Sequence, residues 1–140
     1  MEWAALYERL CPVAGIRTSY AWAQACHETG RFTYQGTARP EWNNPAGLGV
    51  TGAADVGNRF ATKEEGARAH LGHLLWYFGY PHPVTGFCEK DQRHFGAHWN
   101  LENDGSQLGG ANARGTKWAP SPTYGALLLV KAMTVLQRQV

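Results

Sequence analysis

Ala23-Gln24-Ala25-Cys26-His27-Glu28-Thr29-Gly30 is the stretch from which the rest of the chain can be read. A helix starting at Thr18 or Ser19, both good N-caps, puts Ala21, Ala25 and Glu28 at i, i+4 and i+7, on one face. Gly30 suits the position just past a helix end and is expected to stop it. Glu28 then stands in the last turn beside small apolar residues, where the negative end of the helix dipole disfavours another negative charge. A helix built for stability carries Lys or Arg there. Desolvation and an adverse dipole both favour a neutral carboxylic acid, the form in which a glutamate serves as general acid. Its place at the helix end aims it at the loops that follow. The plain alternative is a solvated helix-end side chain.

Upstream, residues 2–10 place Trp3, Leu6, Tyr7 and Leu10 at helical spacing, and Pro12 is expected to end that helix. Downstream, residues 30–61 are rich in glycine, with two prolines and Asn43-Asn44, and predict loops with a short hairpin. Thr62-Lys63-Glu64-Glu65 reads as a capping box opening a helix whose apolar positions are Ala67, Leu71, Leu74, Leu75 and Phe78. Pro81 and Pro83 close it. A short helix is expected around residues 91–99, then a glycine- and asparagine-rich loop. Ser121-Pro122, an N-cap followed by an N1 proline, starts a last helix over 124–136 that is apolar nearly all round. The expected architecture is α+β and mainly α-helical, one domain over residues 1–140 with a short loop or hairpin lobe.

Composition narrows the function classes. At 44% hydrophobic and 17% charged, the 140 residues belong to a folded domain with a real core, not a disordered chain. A net charge of +2 is too mild for the basic footprint of a nucleic-acid binder. No apolar run is long enough for a membrane span, and Met1-Glu2-Trp3-Ala4-Ala5 lacks the halves of a signal peptide. Cys11, Cys26 and Cys88 match no zinc or redox spacing, and their odd count argues against a disulfide framework. Six tryptophans are many for this length. Trp22, inside the second helix, reads as core, whereas Trp42, Trp99 and Trp118 lie in loop-rich stretches and suit stacking on flat ligand faces. Gln24, Asn43, Asn44 and Asn100 offer polar groups beside them, although Asn-Asn is also ordinary turn chemistry.

Two other chemistries compete. His70/His73 and His94/His98 stand at spacings that zinc ligands use, but no third ligand follows and there is no HExxH. Cys26 beside His27 suggests a thiol peptidase, yet helix neighbours point about 100° apart and cannot pair directly.

The string 23–30 resembles the "AQ-A-x-x-E-[ST]-G" signature of the bacterial glucosaminidase domain, a family of glycoside hydrolases. Three more segments resemble that family in the same order. Asn43-Asn44-Pro45-Ala46-Gly47-Leu48-Gly49 is similar to its turn after the catalytic helix. Phe60-Ala61-Thr62-Lys63-Glu64-Glu65, with His70 and Leu74-Leu75 beyond, is similar to the start of its next helix. Trp118-Ala119-Pro120-Ser121-Pro122-Thr123-Tyr124-Gly125 is similar to the segment before its final helix. Together they cover most of residues 20–136. Pro45, Ala46 and Trp118 depart from the usual residues, and segment 50–60 is shorter than the family's β-lobe.

The resemblance implies a lysozyme-like fold and cleavage of β-1,4 bonds in peptidoglycan glycan strands, most directly after N-acetylglucosamine, with Glu28 as acid and no metal or organic cofactor. It implies a second carboxylate from the lobe, for which Asp55 ranks first and Glu41 second; failing both, the substrate's 2-acetamido group is the nucleophile. It also implies a tyrosine near the acid, which falls on Tyr124. The expected protein is a monomer acting on the bacterial cell wall, as a phage-type endolysin or a domain of a secreted autolysin. The rivals are a muramidase or lytic transglycosylase, a zinc amidase or peptidase, and a wall-binding module without catalysis.

Overall fold

In the computed structural model, residues 2–53, 55–78 and 84–92 are described, together with 124, 127, 128, 130, 131 and 134 of the C-terminal segment. Three α-helices carry the described fold: α1 (Glu2–Ala14), α2 (Thr18–Glu28) and α3 (Lys63–Tyr77). Two single 3₁₀ turns, Pro40–Trp42 and Cys88–Lys90, punctuate the loops. The described residues after Tyr124 are helical.

Helix α1 runs through Pro12 to Ala14 instead of ending before it. The carbonyl deprived of its donor by the proline belongs to Glu8, an exposed residue, so the missing bond falls on the solvent side of the helix. The inward face carries Trp3, Tyr7, Leu10, Cys11 and Ala14. Helix α2 begins one residue earlier than its hydroxyl caps suggest: Arg17 occupies the N-cap and makes no side-chain cap bond. Helix α3 opens as the sequence predicts. Thr62 Oγ1 accepts from the Glu65 amide at 3.1 Å, and Glu65 Oε2 reaches back to the Ala61 amide at 3.2 Å. It ends at Tyr77, short of the prolines.

Helix α3 is the core of the molecule. From Gly66 to Tyr77 all but Arg68 are buried, because α1 covers one side, the Cys88–Lys90 turn another, and the 43–60 lobe its N-terminal half. Two glycines make that possible. A Cβ on Gly66 would overlap the Asn43 carbonyl, and one on Gly72 would lie 2.5 Å from the Phe87 carbonyl oxygen. The last helical segment is one-sided instead of apolar all round in its contacts: Tyr124 and Leu128 are buried, whereas Leu127 and Val130 are exposed.

The α+β expectation is overturned: among the described residues there are helices and turns and no strand. The lobe that should have held a hairpin makes two cross-chain backbone bonds, Phe60 N–H to Trp42 C=O and Asn58 N–H to Leu48 C=O, both 2.9 Å. Side-chain amides supply the rest. Asn44 Nδ2 donates to the carbonyls of Leu48 and Asn58, its Oδ1 accepts from the Leu48 amide, and Asn43 Nδ2 donates to the Phe60 carbonyl. Asparagines fill the places of ladder bonds, so the chain is paired without extending into strands. Among the described residues no helix is long and apolar enough to cross a membrane, and all three cysteines are free.

Replacing Gly72 by Ala gains about 1 kcal/mol of helix propensity. It also forces a methyl into a backbone carbonyl, where overpacking costs about 1–3 kcal/mol. The expected result for Gly72→Ala is net destabilisation, read as a lower urea midpoint at unchanged m-value.

Candidate active site

Helix α2 ends at Glu28, and the chain turns there under strain. Thr29, buried, donates its hydroxyl to the Ala25 carbonyl at 2.7 Å and accepts the Phe32 amide at 2.8 Å. Gly30, Arg31, Phe32 and Tyr34 all have positive φ. Three of these carry side chains, which costs free energy and needs an anchor. The anchor is Phe32, stacked between Trp3 (5.2 Å) and Trp22 (5.4 Å). Trp22, expected in the core, is half-buried against its edge and pins the turn that follows Glu28.

A cavity of about 330 Å³ opens where this turn faces the lobe. Glu28, Thr29 and Gly30 line it from the helix end, Tyr34 to Ala38 from the turn, and Asn44, Gly47 and Val50 from the lobe. That volume lies at the small end of ligand clefts, which run about 300–1,000 Å³. Apart from Glu28 the described residues of the lining are neutral: hydroxyls, amides, backbone and small apolar groups.

Glu28 is exposed at the rim, not buried with Ala21 and Ala25 as the shared face implies. The helix stops there, so the core over Ala21 and Ala25 does not extend across the next turn. Its carboxyl is nevertheless held. The Tyr124 hydroxyl donates to Glu28 Oε1, and Gln24 Nε2 donates to that hydroxyl at 3.2 Å. Burial, then the adjacent carboxylate, pushes the Tyr124 hydroxyl well above its ordinary pKa, so it remains a donor at every working pH. His27 lies against the Tyr124 ring at 5.6 Å, and Lys131 Nζ donates to His27 Nδ1 at 2.7 Å.

The other expected site residues divide sharply. Tyr124 is at Glu28, as the resemblance implies. Gln24 is fully buried and bonds Tyr124 and His70, so it supports the site from behind and does not face a ligand. Asp55 does not line the cavity: it is exposed and pairs with Arg39 at 3.2 Å and Arg59 at 4.0 Å. Glu41, in the Pro40–Trp42 turn, is exposed and also outside the lining. Trp42 is 3% exposed and covered by the Arg59 guanidinium at 4.6 Å, so it fills the lobe and offers no free face. Asn43 is a left-handed cap bonded to Phe60. Asn44 borders the cavity, but its amide is spent on the lobe backbone. Trp99, Trp118, Asn100, His94 and His98 lie outside the described residues.

Sequence reading missed Tyr34, Gln35 and Thr37, which wall the cavity from a turn whose left-handed residues carry no sequence mark. It also missed Tyr7 and His70 as parts of the support behind Glu28. Of the residues raised for other chemistries, His73 Nδ1 bonds the buried Asp91 at 2.8 Å and His70 bonds Tyr7 and Gln24. Burial pushes the Cys26 thiol up, more than Arg31 and Lys131 lower it, which removes the thiolate a peptidase nucleophile needs.

No protein-family profile matches the chain, and no solved structure matches it. A protein of Borreliella burgdorferi described as uncharacterized is 34% identical over 65 residues. The match spans 46% of this chain and 32% of that protein, so the likeness covers about a third of the relative's length.

His70 is fully buried, and desolvation, with His73 adding to it, lowers its pKa from 6.5 to about 3. The folded state therefore refuses a proton that the unfolded chain accepts below about pH 6.5. Stability is complete above that pH and falls as pH drops toward about 3, with a slope approaching about 1.4 kcal/mol per pH unit for one proton. Urea titrations between pH 7 and 4 are expected to show this loss, and His70→Gln, which cannot titrate, should flatten it by about that slope.

Proposed function

We propose that the chain is a peptidoglycan-cleaving glycoside hydrolase, an endo-β-N-acetylglucosaminidase, with Glu28 as its general acid. The observation that carries the reading is a carboxyl group at a helix end, fixed by a tyrosine hydroxyl on one oxygen and standing on the rim of a sugar-sized cavity in which, among the described residues, it is the one charged group. The likeness of residues 23–30 to the glucosaminidase signature supports it from the sequence side. Tyr124 donates to Glu28 Oε1 and so fixes the carboxyl that supplies the proton. Protonation of the glycosidic oxygen then accompanies development of positive charge at the anomeric carbon.

The second catalytic group is the substrate's own. Among the described residues Glu28 is the one acid lining the cavity, and Asp55 is committed to two arginines. The 2-acetamido oxygen of N-acetylglucosamine attacks the anomeric carbon as the leaving oxygen takes the Glu28 proton. Water activated by the resulting carboxylate then opens the cyclic intermediate and returns the proton to Glu28, with net retention. The Thr37 hydroxyl and the Gln35 amide in the lining are groups that can meet sugar hydroxyls and the acetamido nitrogen.

Glu28→Gln keeps shape and hydrogen bonding but cannot donate the proton, and lysis of purified cell walls should fall by about a hundredfold or more. Retention of most of the wild-type rate would remove the assignment. In the same turbidity assay Asp55→Asn and Glu41→Gln are each expected to keep activity within about threefold, since carboxylate catalysis contributes far more than that. A loss comparable to that of Glu28→Gln in either would restore a protein nucleophile.

A further inference from the structure

Behind Glu28 runs a chain of four hydrogen bonds that ties together all three α-helices and the C-terminal segment. The Tyr7 hydroxyl of α1 meets His70 Nδ1 of α3 at 2.6 Å, and His70 Nε2 meets Gln24 Oε1 of α2 at 2.8 Å. Gln24 Nε2 meets the Tyr124 hydroxyl at 3.2 Å, and Tyr124 closes on Glu28. Tyr7, His70 and Gln24 are each 0% exposed, so water cannot substitute for any missing partner in the chain.

The direction of the bonds follows from two features together: a fully buried, neutral His70 and a Gln24 amide that turns Oε1 to His70 and Nε2 to Tyr124. A neutral imidazole carries one N–H. Gln24 Oε1 can only accept, so that hydrogen sits on Nε2. Nδ1 is then a lone pair and takes the proton of Tyr7. With its oxygen turned to His70, the Gln24 amide presents N–H to Tyr124, whose oxygen accepts it and whose own proton is left for Glu28. All four donors point the same way. Chains of this kind polarise one another, each acceptor becoming a stronger donor to the next. Reversing it requires Gln24 to turn its amide over and His70 to exchange tautomer, both inside a packed core.

We infer that His70 is a positioning residue for Glu28, acting through Gln24 and Tyr124 in a one-way donor chain that starts at Tyr7. His70 touches neither the cavity nor the carboxyl. It fixes which way the Gln24 amide faces, and thereby aims the Tyr124 proton at Glu28 Oε1. Among the described residues Tyr7 from α1, Gln24 from α2 and His73 one turn along α3 face His70, and Tyr124, with His27 and Lys131 behind it, faces Glu28. The inference deepens the glycosidase reading of Glu28 and rests on it for its catalytic meaning, but the chain itself is testable without any turnover.

The test combines heteronuclear NMR of the whole protein with kinetics on purified walls. In the wild type the His70 ring should show the Nε2–H tautomer, unchanged between about pH 5 and 8, and the Tyr124 hydroxyl should give a slowly exchanging downfield proton. Gln at position 70 can place an amide N–H near the site of Nε2, whereas Asn reaches only the Nδ1 end. His70→Gln should therefore keep the Tyr124 signal, and His70→Asn should lose it or move it upfield. In parallel, kcat for His70→Asn should fall about tenfold with KM within about twofold, and His70→Gln should recover most of it. Tyr7→Phe, which preserves shape at the far end, should shift the His70 ring signals and move the Tyr124 proton upfield by a smaller amount. An Nδ1–H tautomer in the wild type, or a Tyr124 signal identical in His70→Asn and wild type, overturns the chain whatever the activity. Correct NMR with an active Glu28→Gln leaves the chain standing and removes the glycosidase reading instead.

Discussion

Helix α3 is buried on almost every side, and the two histidines it carries inward have to be paired or the core fails. A buried imidazole without partners costs as much as several good apolar contacts gain. His73 meets Asp91 and His70 meets Tyr7 and Gln24, and these bonds set how α1, α2 and the turn at Cys88–Lys90 sit around α3. Gly66 and Gly72 let the surrounding backbone come close enough for those bonds to form. Surface ion pairs between the helices, Arg9 with Glu64 and Lys63 with Glu2, add register and little energy. The same polar core that orders the helices ends at Glu28, so folding and the orientation of the candidate acid are one event.

Much of the helical frame was legible in the sequence because it obeys local rules. The Thr62 box, the spacing of Trp3, Tyr7 and Leu10, and the stop after Glu28 are decided within one or two turns of chain. Pro12 misled because its cost depends on whether the Glu8 carbonyl reaches water, a tertiary fact. The hairpin misled for a related reason. Asn43 and Asn44 announce a turn, but that their amides reach Leu48, Asn58 and Phe60 depends on chain up to 17 residues away. Once those bonds exist, a strand ladder has nothing left to satisfy.

The site divides along the same line. Glu28 stood out because a carboxyl at a helix C-terminus runs against the dipole, and Tyr124 came from resemblance. Their meeting across 96 residues, and the link from Tyr7 to His70 across 63, has no periodicity to betray it. Aromatic and polar residues near the lobe looked like sugar contacts by type. Trp42 and Asn43 turned out to be consumed by the lobe's own packing, and Asp55 by Arg39 and Arg59. The walls of the cavity came instead from the turn after α2, whose left-handed residues are held by Phe32 between two tryptophans.

What remains is a small cavity whose described lining carries one carboxyl, on the rim, and a hydroxyl that holds it. We propose that this carboxyl donates a proton to a glycosidic oxygen and that the sugar's acetamido group completes the chemistry. Mass spectrometry of muropeptides released from purified walls tests this most directly. The account requires new reducing ends on N-acetylglucosamine, formed with a chelator present. Intact glycan with released peptides, or activity abolished by the chelator, would contradict it.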